Sequence, residues 1–401
     1  MLISIDWVKD FVNIPDMNPR ELGDKFTMST AEVEEVNVIG AHLEKITVAE
    51  VVEIEPHPNA DKLRLVTFKV TENEKKKVVC GAPNVKVGMK TPYAPLGTTL
   101  PNGLLLEPKK IRGVVSEGML CSESELGISE ESAGIMELDG GAVVGETLLK
   151  LFNESKDILI DVDNKSLTHR PDLWGHYGIA REFSAIFENE FKVPYDENWA
   201  DNLRKKCSGG TSPMGVEVRG ESAAVGYYGL SVDGVEVGES PDWMKKRLLN
   251  VGLRPINNIV DISNYVMLEL GHPLHIFDRD RIKGPNVIIH PLEKEETFVT
   301  LDEVERKLIP GDTVISDETG PLVLAGIMGG LSSGVEENTT KIFLEVANWK
   351  PAKVRRTSTR LGLRTESSQR YEKSLDSFLM ERTLLRTLDL VLELCPKAKV
   401  V

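Results

Sequence analysis

Residues 254–278 read RPINNIVDISNYVMLELGHPLHIFD and hold an amide (Asn264), a hydroxyl (Ser263) and an imidazole (His275) within thirteen positions. Such groups can hold a water and polarise an ester, provided one cleft gathers them. The local pattern predicts a short apolar strand at Ile259 and Val260, then a compact helix, then a loop. Asp261 or Ser263 would cap the helix start. Gly271 suits a left-handed terminus and Pro273 forbids continuation. Asn264 then falls in the first helical turn and His275 on the loop after the helix. The alternative is that Asn264 and His275 only satisfy buried backbone groups, and on this stretch alone that reading is favoured.

The frame around the stretch is a multidomain α+β chain. At 401 residues, two to four domains are expected, each with room for a core. Hydrophobic residues make up 41% and charged residues 28%, an ordinary globular balance. No apolar run approaches the ~18 residues of a membrane span. The N-terminus lacks the pattern of a signal peptide. The four cysteines, Cys80, Cys121, Cys207 and Cys395, are scattered. Their spacing argues for a reducing cytoplasm and against a zinc site. His169 and His176 stand seven apart with no third ligand, so structural hydrogen bonding is the reading for them. A net charge of −15 argues against coating nucleic acid indiscriminately and directs attention to local basic patches.

Residues 1–38 and 152–195 read as one discontinuous α/β domain, the first piece being too small to close a core alone. Between them, residues 39–151 show about five short alternating runs separated by turn residues, which suggests a small barrel. Lys86, Lys90, Lys109, Lys110 and Arg112 gather there with Tyr93, a pattern suited to phosphate contact and base stacking. A solvated barrel face explains the same residues equally well. Residues 196–211 read as a linker, and 212–401 as a mixed α+β unit. In that unit, Ser240 would cap a helix with Pro241 at its first position. The segment 341–346 alternates, so Phe343 and Glu345 share a face. Helix 351–361 has a basic face of Lys353, Arg355, Arg356 and Arg360. A last helix runs from about 377 to 394. The run GIMGG at 326–330 lacks the lysine and helix cap of a phosphate loop, so nucleotide binding there is rejected.

Three blocks in order, 254–278, LEV at 344–346 and LGLRTESSQRYE at 361–372, resemble the editing module of the bacterial phenylalanyl-tRNA synthetase β subunit. HPNADKLR at 57–64, VCGAPNV at 79–85 and IRGVVSEGMLCS at 111–122 resemble the tRNA-binding OB-fold, a module shared by several synthetases. The resemblance implies an OB-fold inserted in a small α/β domain, followed by an α+β editing domain. It implies hydrolysis of tyrosine wrongly esterified to tRNA(Phe). Glu345 would accept the tyrosine hydroxyl, with the N–H of Gly326 as second contact and Gly329 beside the substrate. Ser263, Asn264, His275, Thr365 and Ser367 would surround it, His275, Asn264 and Thr365 serving catalysis. No metal and no cofactor is implied for this part; ATP and magnesium belong to the holoenzyme. Its aminoacylating α subunit would complete a cytoplasmic α2β2 heterotetramer.

The chain departs from the family pattern at Ser263 (commonly threonine), His272 (usually glutamine) and Ser367 (usually alanine). The family continues well beyond residue 401, so a truncated β subunit is expected. A non-catalytic tRNA-binding and assembly scaffold, or a free-standing tRNA-binding chaperone, fits the barrel motifs equally. Glu345 together with Asn264 and His275 favours the hydrolase.

Overall fold

The computed structural model describes residues 1–128, 132–152, 156–207 and 212–401. The chain divides into two compact units, residues 37–158 and residues 1–36 with 159–401.

The smaller unit is an antiparallel sheet in the order 75–80, 64–69, 47–56, 90–94, 119–120. The chain at 116–120 reaches both edges. Leu120 pairs with Tyr93 at one, while the Glu117 N–H donates to Lys77 O (3.1 Å) at the other. The sheet therefore curls around a core of Val51, Val66, Phe68, Val78 and Tyr93. The hairpin Lys109–Ile111 and Val114–Ser116 stands out from it. His57 Nδ1 accepts from Asn59 N–H, which leaves Nε2–H to donate to Ile111 O (3.2 Å) and tie down the hairpin.

In the larger unit, Leu2–Ser4 pairs antiparallel with Asp157–Val162, Ile3 opposite Ile160. Trp7 then stacks between His176 (4.1 Å) and Tyr265 (4.4 Å), which supplies the core that the N-terminal piece lacks alone. His176 accepts from Ser4 N–H at Nε2 and donates from Nδ1 to Leu268 O, so both ring nitrogens serve buried backbone.

The rest of the unit is two sheets packed face to face. One runs 215–218, 286–291, 313–316, 321–324, 328–329. The other is built on strand β3 (Lys341–Trp349), with β1 (Ala224–Asp233) on one side and β2 (His275–Asp278) on the other, both antiparallel. Phe277, Phe343, Val287, Ile289 and Val314 share the core between the sheets. Helix α4 (Leu379–Leu394) packs on β3 and on helix α1 (Asn258–Leu270). Arg386 of α4 pairs with the buried Glu269 of α1 at 2.9 Å.

Four sequence-based expectations change. Ile259 and Val260 are helical: Ile259, Ile262, Val266 and Leu270 recur at helical spacing, and Asn257 is the cap, accepting from Val260 N–H. Asp261 is instead fully buried and accepts from Ser240 Oγ (2.5 Å) and Ile256 N–H (2.9 Å). That bond removes Ser240 from capping, and Pro241 is itself the cap residue of helix Asp242–Asn250. Most of the expected linker is helix Glu197–Cys207, whose Ala200 and Leu203 are buried and whose Arg204 pairs with Glu381 (2.8 Å). Its polar composition hides a two-residue apolar stripe. Residues 208–211 of that linker lie outside the described residues.

Candidate functional site

Strand β3 is buried along nearly its whole length because sheet packs on one face and helix on the other. A carboxylate in such a strand needs a reason. Glu345 is 5% exposed, and its register partners are His275 on β2 and Gly229 on β1. A side chain at Gly229 would collide with Phe343, its Cβ falling 2.4 Å from the ring.

The turn between strands Pro321–Leu324 and Met328–Gly329 closes over these residues. Gly326 has φ +70°, and a Cβ there would sit 2.8 Å from Trp349 Cδ1. A Cβ on Gly329 would sit 2.6 Å from His275 Cε1. Only glycine lets the turn lie this close on both rings. Thr365, the cap of helix α3 (Glu366–Tyr371), accepts from Ser368 N–H and donates to Ile327 O (2.8 Å). Thr365 thus pins the turn from behind.

The result is a cavity of about 40 Å³ lined by Pro273, His275, Gly326, Gly329, Glu345, Trp349, Ser367 and Tyr371, among others. Burial pushes the Glu345 carboxyl up to about 8, and its Oε2 has no hydrogen-bond partner. Burial pushes the His275 imidazole down to about 4, and its Nε2 is likewise buried and unpartnered. At neutral pH both groups are uncharged. Glu345 then offers one O–H donor and a carbonyl acceptor, His275 one donor and one acceptor. Tyr371 donates to Pro273 O (2.7 Å), as does His272 Nδ1 (2.9 Å), which fixes the strand entry before His275.

Of the residues singled out in the sequence, His275, Glu345, Gly326, Gly329 and Ser367 line this cavity. Ser263, Asn264 and Thr365 do not. Ser263 Oγ donates back to Val260 O (2.6 Å) within the helix, a local bond that occupies it. Asn264 falls in the middle of α1, not its first turn, because the helix begins six residues earlier at Asn258. Sequence reasoning passed over Trp349, Tyr371 and Pro273. Tyr371 stood inside the 361–372 block, and its aromatic character beside Arg370 was the available signal.

The proposed RNA contacts of the smaller unit separate in the same way. Tyr93 is 3% exposed, packs on Phe68 (4.8 Å) and donates to Glu117 O (2.6 Å), so it cannot stack on a base. Its strand faces inward there, and the hydroxyl closes the curl of the sheet. Lys90 donates to Gly140 O and Ala142 O and thereby holds a loop. Lys86 pairs with Glu137 at 2.8 Å. Lys109, Lys110 and Arg112 are exposed on the hairpin. Among the described residues no cluster of three His, Cys, Asp or Glu is placed to hold a metal ion, and no helix is long and apolar enough to cross a membrane.

The B3/4 domain family matches residues 223–396, which contain the whole cavity, and a tRNA binding domain family matches residues 46–147. The chain thus joins a tRNA-binding module to a B3/4 domain. The phenylalanine–tRNA ligase β subunit of Porphyromonas gingivalis is 41% identical over 406 residues, covering 98% of this chain and 48% of that protein. That of Carboxydothermus hydrogenoformans is 40% identical over 398 residues, with the same two coverages. Among solved structures, an N-terminal fragment of the phenylalanyl-tRNA synthetase β subunit from Pyrococcus horikoshii matches at TM-score 0.28 and 20% identity, covering 53% of this chain and 62% of that one. The chain belongs to the phenylalanine–tRNA ligase β-subunit family and spans about half the length of the curated relatives it matches.

Proposed function

We propose that the cavity hydrolyses a tyrosyl ester carried by tRNA(Phe), as the editing site of a phenylalanine–tRNA ligase. One observation carries the reading. Two partnerless buried polar atoms, Glu345 Oε2 and His275 Nε2, belong to register partners in one cavity. A buried polar atom without a partner costs about 1–3 kcal/mol, and a ligand that satisfies it recovers that cost. A phenol hydroxyl both donates and accepts, which matches a neutral Glu345 carboxyl. Phenylalanine offers neither and leaves the carboxyl orphaned. A hydrophobic synthetic pocket rejects an added hydroxyl only about a hundredfold, so a second site that demands it has a clear use.

In this reading the N–H of Gly326 is the second contact to the phenol, and Ser367 bounds the ring. The neutral His275 orients the attacking water or the terminal ribose. Thr365 acts by holding the turn, not by touching substrate. The tRNA contacts, the aminoacylating α subunit in an α2β2 assembly, its ATP and magnesium, and a cytoplasmic location all belong to the complete ligase. The competing reading, a tRNA-holding scaffold, draws on the exposed cations of the hairpin. Incubating the chain with tyrosyl-tRNA(Phe) and phenylalanyl-tRNA(Phe) separates the two. Faster release of tyrosine supports the hydrolase, and equal stability of both esters leaves the scaffold.

A further inference from the structure

Helix α2 (Pro351–Leu361) begins beside one wall of the cavity, Trp349, and the chain returns to another wall at Ser367. Eleven residues at about 1.5 Å each make it roughly 16 Å long, so none of it lies farther than about that along its axis from its start beside Trp349. Val354, Thr357 and Ser358 face the core, while positions 352, 355, 356, 359 and 360 form the exposed arc. From residue 350 to 364 the chain carries six cations, Lys350, Lys353, Arg355, Arg356, Arg360 and Arg364, and no acid, although its net charge is −15. A helix face kept only for solubility usually alternates signs at i,i+4 spacing. This one does not.

Three of the six are engaged. Lys353 donates to Glu221 O, Arg360 pairs with Asp312, and Arg364 pairs with Glu372 at 2.8 Å. Lys350, Arg355 and Arg356 are exposed and have no side-chain partner among the described residues. We propose that the exposed arc of α2, together with Lys350 just before its first residue, is a phosphate track that binds the backbone of the RNA whose esterified end enters the cavity. The proposal rests on the editing reading of that cavity. Contacts of this kind carry no sequence information but fix position along a strand. Here they would set how far the end reaches toward His275.

The test uses the chain with Lys350, Arg355 and Arg356 all changed to Gln, and uncharged tRNA(Phe) as the probe. Each lost phosphate contact removes about 0.7–0.9 from the slope of log affinity against log salt, so losing three should flatten it by about two to three. Low-salt affinity should fall roughly tenfold or more. Arg355→Lys with Arg356→Lys, which keeps the charge, should retain the wild-type slope. Hydrolysis of 3′-tyrosyl-adenosine, an ester without phosphates, should be the same in all variants. An unchanged slope in the triple variant overturns the proposal and leaves the face to solvent or to an acidic protein. A flattened slope in a chain that hydrolyses no ester upholds the track while removing the editing reading, so the two failures are distinct.

Discussion

Glu345 and His275 sit directly opposite each other on antiparallel strands β3 and β2, and each holds a buried polar atom that no other group satisfies. Their protonation behaviour runs in opposite directions from a single cause. Burial penalises charge, so the carboxyl rises to about 8 and the imidazole falls to about 4.

The carboxyl should therefore shape stability on the alkaline side. Its ordinary value is 4.5, so between 4.5 and about 8 the unfolded chain is ionised there and the folded chain is not. Glu345's contribution is complete below 4.5 and is lost as pH rises through about 8. Glu345→Gln keeps the shape and removes the titration. Its melting temperature should fall less between pH 5 and pH 9 than that of the wild type. Parallel curves would mean that the carboxyl is already ionised in the folded protein.

On the acid side three histidines act together. His176 is held down at about 3, His272 at about 4 and His275 at about 4, each chiefly by burial. Each stays neutral when folded and would take a proton at 6.5 when unfolded. Their stabilisation is full above 6.5 and disappears as pH falls through 4 toward 3. His272→Gln can still donate to Pro273 O but does not titrate. Thermal melts should show that variant losing less stability than the wild type between pH 6.5 and 4.

The hairpin offers a test confined to the smaller unit. Lys109, Lys110 and Arg112 are exposed, whereas Lys86 and Lys90 are engaged with Glu137 and with loop carbonyls. Neutralising the three hairpin cations should flatten the salt dependence of tRNA binding, and neutralising Lys86 should change it much less. Fluorescence anisotropy at several salt concentrations measures both. Equal slopes in all variants would make the hairpin a solvated surface.

What could be read from sequence depended on whether local pattern decided the outcome. The alternation around Glu345 placed it on the same strand face as Phe343, and the glycine after Leu270 marked the helix end correctly. The start of that helix was misplaced because Ile259 and Val260 favour strands locally. Only their continuation at helical spacing through Ile262 and Val266 reveals the true period. Tyr93 looked like a stacking platform because cations surround it in sequence, yet a strand residue's side is set by its pleat. The cavity itself was legible only through three distant blocks, since Gly326 and Gly329 meet Trp349 and His275 by tertiary approach. No local rule brings residues that far apart together.

The sharpest prediction separates recognition from chemistry at the paired residues. If the Glu345 carboxyl meets the phenol, Glu345→Ala removes both the partner for tyrosine and the penalty against phenylalanine. Leaving the neutral carboxyl unsatisfied against phenylalanine costs ~1–3 kcal/mol, which corresponds to a roughly five- to hundredfold loss of tyrosine-over-phenylalanine preference in deacylation. His275→Ala removes the group that orients water or ribose, so hydrolysis of both esters should slow. General acid–base groups contribute about 10²–10⁴-fold, and a purely orienting role lies at the lower end. The preference between the two esters should survive in His275→Ala, because the phenol contact is intact. Single-turnover deacylation of tyrosyl- and phenylalanyl-tRNA(Phe) by each variant, with folding checked by thermal melt, reads both effects. Full selectivity in a folded Glu345→Ala protein would make the carboxyl structural. Selectivity would then come from the shape of the wall formed by Ser367, Trp349 and Tyr371.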